Sequence, residues 1–197
     1  MPETPNFASL IGSRICHDLI SPIGAINNGL ELVAMSSAST SPEMALIADS
    51  VASASARIRL FRIAFGAASD QMIGQTEVST ILDGYYSTSR VSVTWNITDS
   101  QPRNIVRLTF LALLCMETSM PFGGRIEVSE DDDQITLTGH ADKYIVDDLL
   151  WSQLVNGNHP TDLSPSHVQF GLLPTFAAED GRSVHTSTNA TPVIIRF

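Results

Sequence analysis

The apolar positions in the first third of the chain fall into two runs with a helical period. Ile15, Leu19, Ile23, Ile26, Leu30 and Val33 recur at spacings of four and three, which draws one stripe along a helix turning about 100° per residue. Asn6 is placed to cap this helix, which ends near Ala34 or Met35 and would span roughly 40 Å. A small polar segment follows, with Ser41 as the cap and Pro42 at the first helical position of a second helix. There Ile47, Val51, Ala54, Ile58, Phe61 and Phe65 repeat the same period. Two helices of matching stripe predict an antiparallel hairpin, and the alanines and serines between Ala45 and Ala56 favour close approach. A lone hairpin leaves the outer part of both stripes in water. A twofold copy would cover it, giving a homodimer built on a four-helix bundle; packing against the rest of the chain is the alternative.

Gly66 to Asp70 ends the second helix, Gly74 to Thr76 marks a boundary, and beyond it the period changes. Val78 to Tyr86 reads as a short helix, Ser92 to Ile97 as a strand, and Asn104 to Met120 as a buried helix too short to span a membrane. Pro121 to Gly124 turns the chain into two strands, Arg125 to Ser129 and Gln134 to Gly139. The acidic run Glu130 to Asp133 between them is read as a solvated hairpin turn rather than a metal site, because consecutive turn residues do not all point at one ion. Val146 to Leu154 is predicted helical, Asn156 to Ser166 a loop, and Ser166 to Ala178 a last helix in spite of Pro174. Two strands, Ser183 to Thr188 and Pro192 to Phe197, close the chain. The expected class is α+β: a helical hairpin over residues 1–72, then a unit over 76–197 with helices layered on one face of a mixed sheet.

Composition narrows the function. A formal net charge of -10 disfavours nucleic acid and anionic membrane as partners, since either would want a basic face. Cys16 and Cys115 are not at metal-ligand spacing and are expected as free thiols of a reducing cytosol. The first residues lack the basic start and apolar run of a signal peptide, so a cytoplasmic location is expected. His140, His159, His167 and His185 are scattered and are expected to be structural or incidental.

His17 is different. It points almost opposite to the apolar stripe, and Arg14, Ser21, Gly24 and Asn28 lie close to the same direction, so the ring sits on a polar strip of partly small residues. Pro22 leaves the carbonyl of Asp18 without its helical partner, and Gly24 and Gly29 weaken the helix further. The propensity cost is about 3 kcal/mol for the proline and about 1 kcal/mol for each glycine, so packing must hold the segment helical.

The run His17-Asp18-Leu19-Ile20-Ser21-Pro22 resembles the H-box of the dimerisation and phosphotransfer domain of two-component histidine kinases. The longer string through Gly24-Ala25-Ile26-Asn27-Asn28-Gly29-Leu30-Glu31-Leu32 resembles the ChpT family of alphaproteobacterial histidine phosphotransferases. The order of the second half is similar to the Bergerat or GHKL ATP-binding fold of the kinases, through Leu108 to Met120 before Gly123-Gly124 and Phe170 to Leu173 before Gly181. Yet Leu111 to Glu117 has none of the asparagine that holds magnesium in true kinases, and neither an Asp-x-Gly-x-Gly loop nor a full Gly-x-Gly lid is present. The resemblance therefore implies a degenerate Bergerat/GHKL-like α/β sandwich that does not bind ATP.

A neutral imidazole is a good nucleophile toward phosphorus near neutral pH, and the resulting N–P bond is labile enough to pass its phosphoryl group to a carboxylate. His17 is the expected phosphoacceptor. By the resemblance Asp18 orients or deprotonates it; Arg14 neutralises phosphoryl oxygens or contacts the partner; Ser21, Gly24 and Asn28 complete a docking strip. No cofactor is expected on this chain, with magnesium on the partner receiver domain. The resemblance implies a homodimer that relays phosphate from the receiver of a CckA-like hybrid kinase to CtrA-like and CpdR-like response regulators. Two alternatives stand beside it: an ATP-dependent sensor kinase, and a non-catalytic scaffold that only docks receivers.

Overall fold

The computed structural model describes residues 7–35, 42–69, 71–156, 163–188 and 191–197. Helix α1 (Phe7–Met35) runs unbroken through Pro22, and α2 (Pro42–Ala64) returns along it. The two expected caps, Asn6 and Ser41, and His159 lie outside the described residues. An alanine Cβ at Gly29 would stand 2.5 Å from Ile47 Cγ1. That glycine is there for the close crossing of α1 and α2, a packing reason that the helix pattern did not show.

After the hairpin come β1 (Met72–Ile73), α3 (Gln75–Tyr86), β2 (Val91–Trp95), β3 (Gln101–Pro102), α4 (Arg103–Thr118), β4 (Gly124–Asp131) and β5 (Gln134–His140). Then follow α5 (Asp148–Asn156), a single 3-10 turn (Pro165–His167), α6 (Val168–Glu179), β6 (His185–Ser187) and β7 (Val193–Arg196). The main sheet has the order β2-β4-β5-β7-β6, with β2 parallel to β4 and the other pairs antiparallel. Ile126, Val128, Ile135, Leu137, Val193 and Ile195 point into the core, while Arg125, Ser129, Ser92 and Thr94 between or beside them face water. One face of an antiparallel-rich sheet is thus covered by helices and the other solvated. The α+β class and the mixed sheet are as expected.

Helix α4 is the centre of this unit, buried at every position from Ile105 to Met116. Leucine, methionine and alanine fill it without proline or glycine, so propensity and burial agree. The buried guanidinium of Arg107 lies 3.8 Å over the Phe176 ring and donates to the Gly66 carbonyl at 3.4 Å, which ties α4 to α6 and to the end of α2.

Only the last two residues of the acidic run form the turn; Glu130 and Asp131 extend β4, opposite Ile135 and Gln134. Asp132 and Asp133 take positive φ values of 48° and 63°, as a tight hairpin requires, and the Asp133 carboxylate meets Arg182 at 2.9 Å. Differences from the expected elements are local. Helix α5 begins at Asp148 rather than Val146 because Asp147 Oδ1 caps the amides of Leu149 and Leu150 at 3.0 and 3.2 Å. The short antiparallel pair β1–β3 was not anticipated. Residues 157–162 of the expected loop lie outside the described ones, and its end forms the 3-10 turn.

The hairpin docks by one end. Helix α2 packs on α3 and α4 through Ala56, Leu60, Phe61 and Ile63, and α1 meets α6 and the 3-10 turn through its first turns. Phe7 lies so close to α6 that a Cβ at Gly171 would stand 2.7 Å from its ring. This end carries His17.

Candidate functional site

His17 stands on the third turn of α1 with its side chain 82% exposed. Its Nδ1 lies 3.0 Å from Oδ1 of Asp18, the next residue on the same helix. That carboxylate is nearly covered, and its other oxygen, Oδ2, accepts the Nε–H of Arg14 at 2.8 Å, one helical turn back. Arg14 Nη1 donates in turn to the backbone carbonyl of Ser166, in the 3-10 turn. The same carbonyl accepts from Gln169 Nε2 at 3.0 Å.

An anionic Asp18 accepts hydrogen bonds and cannot donate them. His17 Nδ1 must therefore carry the proton of the neutral ring, and the lone pair sits on Nε2, the outward nitrogen. A side chain that is both exposed and fixed in tautomer is what in-line attack on phosphorus needs.

More charge lies below this pair. Glu117, at the last turn of α4, is within electrostatic reach of Arg14, of Arg57 from α2 and of Asp18, and the Tyr86 hydroxyl reaches towards it without a well-aligned hydrogen bond. Burial pushes the Glu117 carboxyl above its ordinary range; Arg14 and Arg57 pull it back, Asp18 adds to the rise, and Tyr86 opposes it. The Arg57 guanidinium lies 5.5 Å from the centre of the Tyr85 ring. Burial, reinforced by Glu117, lifts both tyrosine hydroxyls above their usual range. Four helices therefore bring ionisable groups within electrostatic reach of Arg14 and Asp18.

Of the expected strip, Ser21 and Asn28 are exposed and Gly24 is half-buried with nothing within 4 Å of an added Cβ. Arg14 shares the strip's helical direction, yet its side chain is only 15% exposed and turns to Asp18 and Ser166. Beside His17 the helix also presents an apolar groove of about 460 Å³, lined by Ile15, Leu19, Ile20 and Ile23, with Ile20 69% exposed. Ile20 was readable as an apolar residue off the main stripe, one turn from His17. Glu117, Arg57, Tyr86 and Ser166 carried no such signal. Of the other histidines, His167 is bonded to Ser164 Oγ at 3.1 Å, His140 lies 3.7 Å from Glu127, and His185 is exposed on β6.

A family model described as the histidine phosphotransferase C-terminal domain matches residues 75–192. The chain belongs to the histidine phosphotransferase family. It is 39% identical over 140 residues to protein phosphotransferase ChpT of Brucella abortus (strain 2308), a match that takes in 68% of this chain. The chain spans 66% of the length of that relative. A solved structure, described as the 1.7 Angstrom structure of a bacterial phosphotransferase, is similar over 100% of this chain and 98% of its own, at 31% identity and a TM-score of 0.80. The family model covers α3 to the approach to β7, whereas His17 lies on the hairpin before it. The match of the family model therefore does not reach His17.

Proposed function

We propose that this chain is a phosphorelay intermediate of a two-component system, taking a phosphoryl group onto Nε2 of His17 from a receiver-domain aspartate and passing it to the aspartate of a response regulator. The observation that carries the reading is the exposed His17 ring with Nδ1 engaged by Asp18. Nε2 attacks the acyl phosphate of the donor receiver; the N–P bond forms as the P–O bond to aspartate breaks. The reverse step, with a second receiver, completes the relay. Asp18 stabilises the positive charge that the ring acquires when it is phosphorylated, and the loose transition state is served by alignment and by cations on the receiver. Ser21, Gly24 and Asn28, with the exposed side chain of Ile20 off the main stripe, form the docking face. The donor class is the CckA-like hybrid kinase and the acceptor class the CtrA-like and CpdR-like regulators.

The chain acts as a cytoplasmic homodimer in this reading. Support comes from the stripe residues Ile23, Leu30, Val51 and Ile58, which are 49%, 53%, 47% and 52% exposed in the single chain. A second hairpin on this face would complete a four-helix bundle. ATP has no place in the reading: α4, where a kinase would hold magnesium, is an apolar core helix.

Radiolabel transfer tests the function. Purified protein is incubated with labelled ATP alone and with a labelled receiver domain, as wild type and as His17→Gln. Label arriving only from the receiver, and only where His17 is present, is expected. Label taken directly from ATP would replace the reading with a kinase.

A further inference from the structure

Asp18 has both carboxylate oxygens committed, Oδ1 to His17 and Oδ2 to Arg14, on a side chain only 10% exposed. Its rotamer, and with it the tautomer of His17, depends on where Arg14 is held. Arg14 is a long, flexible side chain, and α1 alone does not fix it. The restraints come from the other half of the molecule: the Ser166 carbonyl, 152 residues away in sequence, accepts from Nη1, and Glu117 at the end of α4 lies in its field. Arg57 from α2 lies within electrostatic reach of Glu117 as well. A forked guanidinium can donate Nε to one partner and Nη1 to another at once, which a lysine ammonium on a longer lever does less well.

We propose that Arg14, held in turn by the Ser166 carbonyl, is a positioning residue for phosphotransfer: it fixes Asp18 so that His17 keeps its proton on Nδ1 and presents Nε2 to phosphorus. The helix-and-sheet unit then has a task at the histidine that needs no nucleotide, which is to hold the clasp closed. This deepens the proposed relay function and rests on it.

The test uses phosphoramidate, a small donor that needs no partner protein. The Nε2 lone pair attacks phosphorus, the Nε2–P bond forms as the P–N bond of phosphoramidate breaks, ammonia leaves, and the Nδ1 proton stays in its bond to Asp18. Phosphorus NMR, with His17→Gln as the blank, separates the Nε2 and Nδ1 isomers of phosphohistidine at this position. Wild type should give the Nε2 isomer. Arg14→Met should lower the labelling rate of His17 by about tenfold and raise the share of the Nδ1 isomer, and Arg14→Lys should recover part of both. A merely structural role would change the melting temperature and leave the isomer ratio of a side chain this exposed where it was.

Rates and isomer ratios of Arg14→Met equal to wild type would overturn the clasp. If Arg14→Met does not fold, Arg14→Lys decides, with nitrogen NMR of the His17 tautomer as the readout. The relay reading fails separately, through receiver transfer that survives in His17→Gln.

Discussion

Replacing Gly29 by alanine tests the close crossing of α1 and α2 on which the hairpin depends. In an open helix position the change would stabilise by about 1 kcal/mol, since alanine is the better helix former. At Gly29 the new Cβ would lie 2.5 Å from Ile47 Cγ1 and 3.1 Å from Cδ1. Carbon atoms in contact sit roughly 3.5–4.0 Å apart, so Ile47 or the whole helix must withdraw by about 1 Å. Overpacking of that size costs about 1–3 kcal/mol, which leaves a net loss of about 0–2 kcal/mol. Ile47→Ala removes the obstruction, and in that background Gly29→Ala should stabilise by about 1 kcal/mol. The coupling between the two sites is then about 1–3 kcal/mol, well above additivity error. Urea unfolding of the four proteins at one fixed concentration measures it. Gly24 supplies the control: nothing lies within 4 Å of a Cβ there, so Gly24→Ala should stabilise by about 1 kcal/mol. A Gly29→Ala variant that stabilises equally with and without Ile47 would refute the crossing.

Ile58→Glu puts a charge on an apolar residue 52% exposed beside the groove lined by Ile11, Ile15 and Phe65, and should convert the expected dimer to monomer with the helix content kept; light scattering after gel filtration reads it, and an unchanged mass would remove this face from the interface. Burial lifts the Glu117 carboxyl above its ordinary value of about 4.5, so its contribution to stability is full below that pH and is lost as pH rises through the raised value. Urea midpoints of Glu117→Gln should therefore fall less steeply above pH 4.5 than those of wild type, and equal slopes would contradict the shift. Chelating magnesium should stop transfer between His17 and a receiver while leaving phosphoramidate labelling of His17 intact, because the relay reading puts the metal on the receiver; transfer undiminished in EDTA would count against that division.

The helices were legible because their periods are long and undisturbed, as in the stripe from Ile15 to Val33, and because Pro42 and Gly74 punctuate them. The turn at Asp132-Asp133 was legible from its composition. The pair β1–β3 was not, since strands of two residues have no period to read. The start of α5 depended on the Asp147 cap, which looks in sequence like any other acidic residue near Asp148. At the site, His17 and Asp18 were readable because their relation is local to one helix. Arg14 was readable as a neighbour but not in its direction: helical angle alone aims it with His17, and only the Ser166 carbonyl and the Asp18 carboxylate turn it inward.

That inward turn has a consequence for how charge is shared in the reaction. Three of the arginines, Arg14, Arg57 and Arg107, are drawn into half-buried or buried positions, where Arg14 bonds Asp18, Arg57 lies over the Tyr85 ring and Arg107 reaches the Gly66 carbonyl. The exposed ring of His17 is left beside apolar Ile20 and the small Gly24. A phosphoryl group in flight carries negative charge on its equatorial oxygens and needs a cation close by. With Arg14 committed to the acid behind the ring, that cation is supplied by whatever docks. On the proposed relay reading, a phosphorylated His17 gains that cation only from a receiver that brings its own metal. On this reading the exposed strip around His17 and the buried arginines belong to one design: the histidine side holds geometry, and the receiver side holds charge.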